Sequence, residues 1–94
     1  MVETEITSEK LEKYFGLTSE ALEKVKGHVI SGKEEDAKEI IEMASNYLSD
    51  AKHFREEGNF VLAFGALNYA HGWIDSGVRL GVFDVDDDRL FTVR

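Results

Sequence analysis

Apolar positions along the chain fall into three stretches with a helical period, followed by a short mixed tail. Leu11, Tyr14, Phe15, Thr18, Leu22, Val25 and Val29 share one face and predict a helix from about Ser8 to about Ile30. Thr7 or Ser8 is its expected N-cap, and Gly16 falls on the polar side. Ala37, Ile40, Ile41, Ala44, Tyr47, Leu48, Ala51 and Phe54 step by three and one, predicting a second helix from about Lys33 to about Glu57. A third is expected from about Asn59 to about Leu80. Ser31-Gly32, Gly58-Asn59 and Gly81 supply the breaks, since glycine takes the left-handed conformation that ends helices.

The third stretch differs in kind. Asp75 and Arg79 are its only charged residues between Asn59 and Gly81. At 100° per residue its apolar side chains cover an arc of roughly 220°, against about 100° for an ordinary amphipathic helix. It should therefore bury the most surface of the three. The arc is nonetheless too wide for two neighbours to cover, which makes Phe64, Tyr69, Trp73 and Leu80 candidate interface residues. Gly65, Gly72 and Ser76 form a small-residue stripe open to close contact with another helix or with the tail. Ala66, Ala70 and Gly77 share a further face, as do Ala37, Ala44 and Ala51, so the second and third helices should approach closely.

Three such helices joined by tight turns predict an all-α, antiparallel three-helix bundle, up-down-up, as one domain over residues 1–94. The tail, 82–94, offers Phe83, Val85, Leu90, Phe91 and Val93 for docking, while Asp84, Asp86, Asp87 and Asp88 must stay wet.

Composition narrows the function. The 94 residues carry a net charge of −8, which argues against a protein that coats nucleic acid. There is no cysteine, hence no disulfide, thiol nucleophile or thiolate metal site. No apolar run approaches the length of a membrane span and the first residues are acidic and polar, so a cytoplasmic protein without membrane contact is expected.

The best candidate for chemistry is a polar stripe on the third helix, Asn68, His71, Asp75 and Arg79, spaced so that all four line one face. His71 and Asp75 could share a hydrogen bond, and Arg79 could hold an anion or pair with Asp75. His53 with Asp50 is a second histidine–carboxylate pair, and His28 stands alone. Neither gives the converging ligands a metal needs, so no metal and no cofactor are expected. Asp84-x-Asp86-x-Asp88 imitates the start of a calcium loop, but Arg89 stands where the loop requires glycine.

The run Tyr69-Ala70-His71-Gly72-Trp73-Ile74-Asp75-Ser76-Gly77, followed by Leu80-Gly81, resembles the archaeal family called domain of unknown function 357. Asp50, Phe54 and Gly58 upstream fit the same pattern, as do Tyr14-Phe15 and Ala21-Leu22-Glu23-Lys24-Val25 in the first helix. The resemblance implies a small three-helix bundle with no established activity. Some relatives are joined to nucleotidyltransferase-like domains, which implies at most an accessory role. The stretch from Ala44 to Ala63 is also similar to one hairpin of tetratricopeptide or microtubule-interacting-and-transport modules, through two helices packed around a glycine turn.

The expectation is a non-catalytic helical interaction module, acting as a homodimer or on a protein partner. The alternative is an accessory subunit or small-ligand or anion binder in nucleotide or RNA metabolism, using the stripe.

Overall fold

The computed structural model describes residues 5–91 and is an all-α, antiparallel three-helix bundle. Helix α1 spans Ser8–Lys26, α2 spans Glu34–Glu56 and α3 spans Phe60–Arg79. Thr7 caps α1, its hydroxyl accepting from the Lys10 N–H at 3.1 Å. Asn59 caps α3 in the same way, its Oδ1 accepting from the Leu62 N–H at 3.2 Å. Both α2 and α3 end in Schellman turns. Gly58 and Gly81 take φ of 78° and 79°, and the next N–H, of Asn59 or Val82, donates back to Phe54 or Gly77.

The first helix stops four residues short of the expected Ile30. Gly27 caps it, and the backbone beyond pairs with the tail instead of continuing the helix. The Ile30 N–H donates to the Val82 carbonyl at 2.9 Å, and the Asp84 N–H donates to the His28 carbonyl at 2.8 Å. Val29 and Phe83 thereby form an isolated antiparallel bridge. This pairing satisfies groups that another helical turn would have used, and the β-branched Val29-Ile30 pair suits the extended backbone. The other helices begin and end within a residue of expectation.

Helix α3 packs against both neighbours, most extensively against α2, while α1 and α2 touch little. Ala37, Ala44 and Ala51 on α2, and Ala63, Ala66, Ala70 and Gly77 on α3, are all buried. Arg55 ties the far end of α2 to α1, its guanidinium lying 4.2 Å from the Phe15 ring centroid and 2.8 Å from Glu12.

The tail completes the core. Val82, Phe83, Leu90 and Phe91 are buried, while Asp84, Asp86 and Asp88 stay exposed. Val93 lies outside the described residues. Phe83 enters where α3 offers no side chain: a Cβ on Gly77 would fall 2.5 Å from the Phe83 ring and 2.9 Å from Ile40 Cδ1. Gly77 is thus the seat of the ring.

Candidate functional site

The returning tail divides the polar stripe of α3. His71 is half-buried and faces inward. Its Nδ1 lies 3.1 Å from Oγ1 of Thr18 on α1, and its Nε2 meets the Leu90 carbonyl. A carbonyl can only accept, so Nε2 carries the proton and, in the neutral ring, Nδ1 accepts from the Thr18 hydroxyl. Both nitrogens are spent, so the expected His71–Asp75 bond does not form. Asp75 sits half-buried in the same depression of about 240 Å³, beside Tyr14, Leu17, Asp88 and Arg89. Asn68 and Arg79 are exposed. Thr18 was legible only as a core-facing position; a hydroxyl in an apolar stripe needs a partner, and that need was its signal.

Two ion pairs hold the tail down beside this contact. Lys24 Nζ donates to Asp87 Oδ2 at 3.1 Å, and the Arg89 guanidinium engages both carboxylate oxygens of Glu20. The hydrogen bond from Arg89 holds the Glu20 carboxyl below the usual range, and that from Lys24 does the same for Asp87. Glu20 in turn raises the Arg89 guanidinium.

The remaining histidines are held locally. His53 Nε2 lies 3.3 Å from Glu57, one turn on. His28 Nδ1 donates to the Lys24 carbonyl at 2.8 Å. Among the described residues no group of three or more His, Asp or Glu could hold a metal ion. No helix among them is long and apolar enough to cross a membrane.

The four candidate interface residues divide by exposure. Tyr69 is 65% exposed and stacks on Tyr47 of α2, with ring centroids 5.3 Å apart. Leu80 is 74% exposed. Trp73 is half-buried, and half-buried Phe64 meets Tyr14 edge-on at 5.2 Å. The spacing did not single out Val61 and Leu62 as interface candidates, although Leu62 is one of the apolar residues that make up the wide arc of the third stretch. Val61 is 70% and Leu62 49% exposed. Every largely exposed large hydrophobic side chain among the described residues therefore belongs to α3 or its cap.

Between these side chains runs a shallow groove of about 640 Å³, lined by Gly65, Asn68, Tyr69, Gly72, Trp73 and Ser76. The expected small-residue stripe forms its floor, and residues 82–91 of the tail contribute nothing to its lining. A Cβ built on Gly65 or Gly72 would meet nothing within 4 Å. Glycine inside a helix costs about 1 kcal/mol relative to alanine, and no contact among the described residues requires either one.

A family model described as "Protein of unknown function (DUF357)" matches residues 13–83, from within α1 to the ring seated on Gly77. No curated protein and no solved structure matches the chain.

Proposed function

The chain belongs to the DUF357 family, and we propose that it serves as a small, non-catalytic, cytoplasmic interaction module whose working surface is the outer face of α3. The observation that carries this reading is the concentration of the exposed large hydrophobics, Val61, Leu62, Tyr69 and Leu80, on one helix around a groove floored by glycine. Such a patch costs solubility when left in water, and its glycines cost helix stability; both are recovered when another surface fills the groove.

The polar stripe supports an anion-binding accessory role less well. His71 is committed to Thr18 and Leu90. Asn68 and Arg79 stand about 16 Å apart along the axis at 1.5 Å per residue.

The test is light-scattering molar mass on a sizing column at low and high salt, with pull-downs from native extract, using the parent and Tyr69→Lys chains. Tyr69→Lys is expected to fold normally and to lose association. Unchanged molar mass and an unchanged set of captured proteins would remove α3 as the working surface.

A further inference from the structure

We infer that the groove on α3 receives a second copy of this chain, its α3 laid antiparallel across the first. This rests on the reading above, that the outer face of α3 is an interaction surface.

The positions that face outward along the groove fall on a heptad seam: Leu62, Gly65, Tyr69, Gly72, Ser76 and Arg79, spaced alternately by three and four. Reversed against itself about a two-fold axis between Ala70 and His71, this seam meets its own complement at every layer. Tyr69 enters the gap above Gly72 of the second copy, and Gly65 meets Ser76. Leu62 meets Arg79, with Val61 beside Leu80 at the flank. One register satisfies all of these at once. It explains why α3 exposes aliphatic residues at both ends and a glycine in each half, features that a partner without this symmetry would not require. A glycine in each of the four central layers, Gly65 against Ser76 and Gly72 against Tyr69, lets the helix axes come close.

Charge leaves this face, alone of the long faces of the bundle, open to a second copy. A chain of net −8 repels its own copy over most of its surface. The outer side of α2 carries Glu34, Glu35, Asp36, Glu39, Glu42, Asp50 and Glu56, and the tail exposes Asp84, Asp86 and Asp88. From Phe60 to Ile74, α3 has no charge at all. At each end of the seam, Arg79 approaches Glu57 of the second copy, an exposed carboxylate that borders Phe60 and Val61.

Area sets the strength. Twenty residues of helix give a strip about 29 Å long and about 10 Å wide. That is below the roughly 800 Å² per partner of a standard interface, even when Tyr47, Trp73 and Leu80 widen it. The pair should form reversibly, with a dissociation constant on the order of micromolar.

The absence of cysteine makes the register testable by cross-linking. Gly65→Cys and Ser76→Cys chains are mixed and oxidised at a concentration where light scattering reports association. The expected product is a disulfide between the two variants. Ser76→Cys alone should give none, because its two copies lie about 16 Å apart at 1.5 Å per residue, too far for a disulfide. Gly72→Gln, which favours helix in the monomer, should weaken association at least tenfold, and Arg79→Glu should be rescued by Glu57→Lys. A dimer that cross-links through Ser76→Cys alone would overturn the antiparallel register. A dimer indifferent to Gly72→Gln would overturn both this inference and the reading beneath it. A chain that stays monomeric at several hundred micromolar overturns the second copy. In that case binding of an apolar dye, abolished by Tyr69→Lys, leaves the interaction face standing, and absence of dye binding removes it as well.

Discussion

His71 of α3 and Thr18 of α1 share a hydrogen bond of 3.1 Å, while the other ring nitrogen of His71 holds the Leu90 carbonyl. One imidazole thus joins α1, α3 and the tail. Thr18 is buried, so its replacement by valine leaves Nδ1 without a donor in an apolar setting. Thr18→Val should cost about 1–3 kcal/mol in urea unfolding. Thr18→Ser keeps the hydroxyl and should lose only about 0.8 kcal/mol for one methyl. Equal losses for the two variants would show that packing, and not the hydrogen bond, is what Thr18 contributes.

Two glycines on the same helix should respond in opposite directions. Gly77→Ala drives a methyl into the Phe83 ring and Ile40, and should destabilise by about 1–3 kcal/mol. Gly72→Ala meets nothing among the described residues and should stabilise the monomer by about 1 kcal/mol. In a double-mutant cycle, Phe83→Leu should relieve part of the Gly77→Ala penalty. Strict additivity would mean that the two residues do not compete for one space.

Acid should release the tail before it unfolds the bundle. Glu20 and Asp87 have folded values held below their unfolded ones by Arg89 and Lys24. Their contribution is therefore fully present above the ordinary carboxylate range and is lost as pH falls through the lowered folded values. Amide exchange of Leu90 and Phe91, whose N–H groups both donate to the Asp87 carbonyl, should accelerate in that window while the α2 and α3 amides stay protected. Tail amides that keep their protection at pH 2 would show that Phe83, Leu90 and Phe91 hold the segment without the ion pairs.

Asn59 caps α3 through its side chain, so Asn59→Ala should lower stability by about 1 kcal/mol. At Lys33, which makes no such bond to α2, substitution by alanine should be near neutral in the same thermal melts. A similar loss at both positions would assign the effect at Asn59 to something other than the cap.

Much of the architecture was legible in the sequence because it is local. Periodicity placed the helices, Gly58 and Gly81 ended two of them, and the small faces of α2 and α3 met as their spacing required. What escaped was set by contacts distant in sequence. The last turn of α1 yields to backbone pairing with residues more than fifty positions away, a competition no local pattern encodes. His71 shares a face with Asn68 and Arg79 by spacing, but the tail covers His71 and leaves the other two exposed, and no spacing encodes the route of the tail. Leu62 stood in the apolar arc but looked no different from its buried neighbours until the packing direction of α2 was known.

The bridge between Val29 and Phe83 also bears on how the chain acquires its shape. The α2–α3 hairpin draws on contacts close in sequence and can assemble as soon as its residues have emerged from the ribosome. The end of α1 has no such option. Its last polar backbone groups wait for residues 82–84, and the Thr18 hydroxyl waits for a histidine that Leu90 helps to hold. Helix α1, made before the α2–α3 hairpin, is therefore locked after it, by a segment that follows all three helices.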